Sequence, residues 1–230
     1  MQKLLVANYK MNGNKDFYQK VSKTINKLKL KDTLVLCPPF VYMPYLKIKN
    51  KNVYIGAQDI SHKDNNKSTG QISANMLKEF NVRYSIIGHS ERREMGETNE
   101  LISQKVLASQ NNNIIPIVCV GEKTKTEKLN VLIDQVETAL SAAQNNEILF
   151  AYEPVWAIGS GVQPSNTKIN KAVKLIKETA NKKGFNSKVL YGGSVNILNY
   201  GEVSKSNADG FLLGGVSNKL EEFVSLLKGE

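Results

Sequence analysis

The sequence predicts an α/β fold, a single (β/α)₈ barrel of eight parallel strands, and three observations carry that prediction. Short β-branched runs alternate with helical stretches along the whole chain. Several of those runs, such as LLVA, TLVLC and IIPIVCV, are almost wholly apolar, as strands covered on both faces are. The 230 residues suit a slightly trimmed barrel of roughly 250. Alternation by itself would also fit a doubly wound sheet, and eight strands at this length favour the barrel. Residues 1–230 are read as one domain, since no long linker, repeat or low-complexity segment interrupts them.

The first strand is Leu4–Lys10, followed by a helix over Phe17–Leu28 with Phe17, Val21, Ile25 and Leu28 at helical spacing. Strands at Thr33–Cys37 and Val53–Gln58 come next, then a long polar loop, Ser61–Gly70, whose length in a compact fold marks a functional or interface segment. Strands at Tyr84–His89 and Ile114–Val120 precede a helix over Asn130–Ala143, built on Leu132, Ile133, Val136 and Leu140. The sixth strand, Ile148–Glu153, leads to a helix over Lys168–Lys182 with Asn166 as its expected cap. Strands at Lys188–Tyr191 and Gly210–Leu213 and a terminal helix, Leu220–Lys228, complete the pattern.

Composition narrows the function classes. The net charge of +10 attracts anions, but the excess lies in lysines such as Lys23, Lys27, Lys29, Lys31, Lys47, Lys49 and Lys51, with no interleaved aromatic and arginine stripe. A solvated basic surface is therefore expected rather than a nucleic-acid face. Leu4–Ala7 is too short for a signal peptide core, and no apolar stretch approaches the ~20 residues of a membrane span. Cys37 and Cys119 sit in apolar runs without metal-site spacing. A cytoplasmic protein is the expectation.

In such a barrel the chemistry gathers at the carboxyl ends of the strands. The first strand ends Asn8-Tyr9-Lys10, and period two puts Asn8 and Lys10 on one side. The fourth ends Gly88-His89-Ser90-Glu91-Arg92-Arg93 and the sixth Ala151-Tyr152-Glu153-Pro154. The seventh and eighth end in Gly192-Gly193-Ser194 and Gly214-Gly215. Each piece has an ordinary explanation: a solvated lysine, a structural histidine, an exposed acid, tight turns. Their conjunction at successive strand ends points to proton transfer on a phosphorylated substrate.

At these residues the chain resembles the triosephosphate isomerase family along its full length. Asn8-Tyr9-Lys10-Met11-Asn12 is similar to the family's first-strand signature, with tyrosine for the usual tryptophan. Gly88–Arg93 matches its fourth-strand motif, and the eleven residues from Ala151 to Gly161 match its catalytic strand and lid. Tyr191–Ser194 and Leu212–Gly215 match its phosphate loops. The resemblance implies a TIM barrel, no cofactor and no metal; His62 and His89 are the only histidines. It further implies Glu153 as base, neutral His89 as hydrogen-bond donor to the carbonyl, Lys10 as oxyanion stabiliser with Asn8, and Glu91 as the lysine's partner. For Glu91 a surface acid paired with Arg92 or Arg93 is the alternative. Asn8 and Lys10 would also bind substrate, together with the main-chain N–H groups of Gly159, Ser194, Gly214 and Gly215 at its phosphate. Trp156 is read as packing at the lid hinge and Cys119 as core.

The resemblance also implies a homodimer through the Ser61–Gln71 loop. Three departures stand out. The lid's second hinge reads Val162-Gln163-Pro164, and proline there restricts φ. Gln71 stands where the family usually has a glutamate bridging to the arginine equivalent to Arg92, and Asp59 adds an acid near that interface. The stretch Lys123–Leu129 is shortened. Rival readings are another barrel enzyme, such as a pentose-phosphate epimerase or an indole-pathway isomerase, and a basic binding protein that keeps the phosphate loops. The first lacks metal-binding histidines here; the second has no use for Lys10, His89 and Glu153 together.

Overall fold

Eight parallel strands close into a barrel in the order of the sequence, with β8 returning to pair with β1. The structure is a computed structural model and describes residues 2–64, 67–159 and 162–229. Within expected segments, Asn65 and Asn66 of the polar loop and Ser160 and Gly161 of the lid lie outside the described residues.

The strands are β1 Leu4–Asn8, β2 Thr33–Cys37, β3 Val53–Ala57, β4 Val82–Ile87, β5 Ile115–Val120, β6 Leu149–Tyr152, β7 Lys188–Tyr191 and β8 Gly210–Leu213. Around them run α1 Lys15–Ile25, α2 Ala74–Lys78, α3 Ser90–Glu94, α4 Asn99–Gln110, α5 Val131–Leu140, α6 Asn166–Lys182, α7 Tyr200–Val203 and α8 Leu220–Lys228. A 3₁₀ turn, Phe40–Tyr45, takes the place of a helix between β2 and β3, with Pro44 inside it. The start of α6 corrects the sequence expectation: Ser165, not Asn166, is the cap, its hydroxyl accepting from the Lys168 amide at 3.3 Å. Asn14 caps α1 in the same way, accepting from the Phe17 amide at 2.9 Å.

Alternation along the strands divides the apolar residues into two layers. Leu4, Val6, Val35, Cys37, Ile86, Ile117, Cys119, Ala151, Leu190 and Leu212 pack together inside the barrel. Leu5, Leu34, Leu36, Ile87, Val118, Val120, Phe150 and Phe211 face outward onto the helices. Both cysteines are thus barrel filling, and burial pushes their thiols well above the ordinary range.

The expected strands overran the observed ones at four functional ends: β1 stops at Asn8 before Lys10, β3 before Gln58, β4 before His89 and β6 before Glu153. The reason is local. Lys10 sits at φ +51 and Gly88 at φ +65, conformations that end an extended run. Strict alternation would send His89 outward with Ile87; the left-handed turn at Gly88 reverses this and delivers the imidazole to the strand-end cavity.

Candidate active site

A cavity of about 470 Å³ opens at the carboxyl ends of the strands. Asn8, Lys10, His89, Glu153, Gly159, Ser194, Gly214 and Gly215 all line it. Glu91 lines an adjoining cavity of about 420 Å³ and reaches the first one through Lys10, whose ammonium it pairs at 2.6 Å. The alternative partners of Glu91 are occupied elsewhere. Arg92 bonds Glu97 at 2.7 Å and Asp59 at 3.2 Å, while Arg93 donates to the carbonyls of Gly88 and Cys119.

Glu153 is 2% exposed yet has no lysine or arginine in an ion pair with it among the described residues. Its Oε2 accepts from the Ser90 amide at 3.0 Å, the first residue of α3, and its Oε1 lies 3.3 Å from His89 Nε2. His89 Nδ1 accepts from the Glu91 amide at 3.2 Å. A ring nitrogen that accepts carries no proton, so this contact assigns the neutral tautomer with hydrogen on Nε2, aimed into the cavity.

The backbone beneath Glu153 is tightly set. Glu153 N donates to the Val120 carbonyl at 2.8 Å, and a Cβ at Gly121 would overlap the Glu153 carbonyl. Only glycine lets the end of β5 approach Glu153 so closely. Arg93, half-buried below Gly88, ties the end of β4 to Cys119 on β5, and desolvation lowers its pKa from the ordinary guanidinium value.

Lys10 is held in its left-handed conformation from both sides. Its amide donates to Asn8 Oδ1 at 3.0 Å, and its carbonyl accepts from Gln58 Nε2 at 2.8 Å, the same amide group also donating to the Cys37 carbonyl at 2.9 Å. Sequence reasoning assigned no role to Gln58, nor to Ser90, whose contribution is a main-chain amide that no side-chain pattern announces. Asn12 also lines the cavity, and its side chain donates to the Tyr9 carbonyl at 2.9 Å. Asn199 supports the phosphate-loop candidate by donating to the Ser194 carbonyl at 2.9 Å.

The arrangement brings together a buried carboxylate, a neutral imidazole donor and an ammonium around a space edged by glycine-rich main chain. That set can take a proton from carbon and stabilise the oxyanion that results. Among the described residues no group of three or more histidine, cysteine or acidic side chains is placed to hold a metal ion, and no helix is long and apolar enough to cross a membrane.

The sequence matches the family model described as triosephosphate isomerase over residues 3–230. It is 40% identical to a triosephosphate isomerase of Dehalococcoides mccartyi, strain BAV1, across 84% of this chain and 81% of the relative. The corresponding enzyme of Mesomycoplasma hyopneumoniae, strain 232, is 37% identical with 99% of both chains covered. That of Wolbachia pipientis wMel is 38% identical across 99% of this chain and 94% of its own. The chain belongs to the triosephosphate isomerase family.

Proposed function

We propose that Glu153, His89, Lys10 and Asn8 carry out the proton transfer that interconverts dihydroxyacetone phosphate and D-glyceraldehyde 3-phosphate. Family membership makes the chain a triose-phosphate isomerase, with a place in glycolysis and gluconeogenesis. In the proposed division of labour Glu153 removes a proton from one carbon and returns it to the next. His89 donates from Nε2 to the substrate oxygen, and Lys10, steadied by Glu91, stabilises the enediolate with Asn8. The main-chain amides of Gly159, Ser194, Gly214 and Gly215 hold the phosphate. The observation that carries this reading is Glu153 Oε1 at 3.3 Å from His89 Nε2, in the cavity that Lys10 also lines. A coupled assay following dihydroxyacetone phosphate formation tests it. Glu153→Gln should lower kcat by ~10³-fold or more, and a variant with near wild-type turnover would refute the role.

The segment Pro154–Pro164 is proposed as a lid that excludes water while the enediolate exists. Its Val162-Gln163-Pro164 hinge should slow lid motion, and exchange for a lysine, small polar residue and alanine with unchanged product-release kinetics would contradict that. The whole chain is taken to act as one domain in the cytoplasm. A homodimer through the Ser61–Gln71 loop is supported by exposed apolar side chains beside that loop, Val41 and Met76. Arg92 is already paired within its own chain, so Gln71 adds at most an ordinary hydrogen bond to the dimer. A fully active monomer in sedimentation at micromolar concentration would overturn the assembly.

A further inference from the structure

Glu122 lies two residues beyond β5, fully buried, and concentrates three donors on one oxygen. Oε1 accepts from Tyr152 Oη at 3.0 Å, Trp156 Nε1 at 2.9 Å and Lys168 Nζ at 2.9 Å, while Oε2 is buried with no partner. Its carbonyl accepts from the Val155 amide at 3.0 Å. Lys168 Nζ also stands 4.7 Å from the centre of the Trp156 ring. These contacts join the two stems of the lid. Trp156 lies three residues after Glu153, in the short turn Val155–Ala157, and Lys168 lies in the first turn of α6, just past Pro164 and its cap Ser165.

We propose that Lys168 is a positioning residue for the isomerisation: a single ammonium clasps the two lid stems by pairing Glu122 and covering Trp156. Lys168 touches neither the cavity nor the reacting groups; it acts through Trp156 and the main chain that follows the base. Among the described residues it is the one cation in an ion pair with Glu122, so its loss leaves a buried carboxylate without a counter-ion, a change felt by both hydrogen-bonded partners. A stem already fixed loses less freedom when the Gly159 amide grips a phosphate, and a loosened stem must be ordered at that moment. The inference rests on the proposed phosphate grip and deepens it with a residue outside the cavity.

The chain contains one tryptophan, so Trp156 emission reports on the clasp directly. Inorganic phosphate is titrated into the intact protein while that emission is followed, and kcat and KM for D-glyceraldehyde 3-phosphate are measured in parallel. Lys168→Met should shift the emission maximum, raise the half-saturating phosphate concentration about fivefold, and raise KM while lowering kcat. Glu122→Gln keeps acceptors for Trp156 and Tyr152 while removing the ion pair, and should reproduce those effects if Lys168→Met fails to fold. The double variant should lose no more than the larger single loss, because both changes open one clasp. Lys168→Arg should restore most of the affinity. A Lys168→Met protein that is merely less stable, with wild-type emission, phosphate titration and kinetics, would overturn the proposal. Wild-type protein that binds phosphate but isomerises nothing would instead refute the proposed function, which the fluorescence arm does not depend on.

Discussion

Two glutamates stand at the ends of neighbouring strands, Glu122 beyond β5 and Glu153 directly after β6, and both are buried. Their surroundings differ in one respect. Glu122 has an ammonium at 2.9 Å and two neutral donors on the same oxygen. Glu153 has a main-chain amide and a neutral imidazole, and the lysine of the site is paired with Glu91 instead. Glu122 is matched by a cation in a close ion pair and ties neighbouring segments together. Glu153 has no lysine or arginine ion-paired with it among the described residues, so in the proposed role no cation competes with the substrate for its oxygens. Burial alone does not separate the two acids; the partner does.

The sharpest test exchanges each acid for its amide. Glu153→Gln should cost ~10³-fold or more in kcat with little change in melting temperature. Glu122→Gln should keep activity within roughly tenfold while lowering stability by ~1–2 kcal/mol in urea titrations. Equal kinetic losses would erase the distinction. Glu153→Asp, which keeps the charge and withdraws it by one methylene, should cost ~10²-fold in kcat with KM nearly unchanged. Gly121→Ala sharpens the comparison at the main chain. The added methyl meets the Glu153 carbonyl, and thermal or urea unfolding should register ~1–3 kcal/mol of destabilisation. The smallest effect belongs to Tyr9→Phe. This removes a buried hydroxyl that, like Glu122 Oε2, has no partner, so stability should change by no more than ~0.5 kcal/mol. A large loss there would mean that the scaffold uses its unpartnered polar atoms after all.

The barrel was legible because its strands are nearly continuous apolar runs, and three of them, Thr33–Cys37, Lys188–Tyr191 and Gly210–Leu213, begin and end where the sequence places them. The helix α4 was not legible. It buries Ser103, Lys105, Ser109 and Gln110, so the apolar period that marks a helix is absent. Lys105 is satisfied instead by Asp59 and Glu97, and that arrangement exists only once the fold brings the three together. The candidate site residues could be named from strand-end motifs and the family resemblance. Their supports could not. Gln58 works through two carbonyls, Ser90 through its amide, and Lys168 through an acid on a different strand end, and none of these leaves a pattern in the chain. The strand boundaries erred at Lys10 and His89 because the residues that turn toward the cavity leave extended geometry to do so.

The left-handed backbone at Lys10 bears on how this chain can change over generations. A lysine at φ +51 costs about 1 kcal/mol more than a glycine would. Selection for sturdiness alone would therefore favour glycine at position 10, and the resulting barrel would lack the ammonium to which the proposed mechanism assigns the oxyanion. If Lys10 has the proposed role, heat tolerance and turnover pull in opposite directions at that one residue, and gains in robustness come from elsewhere in the molecule.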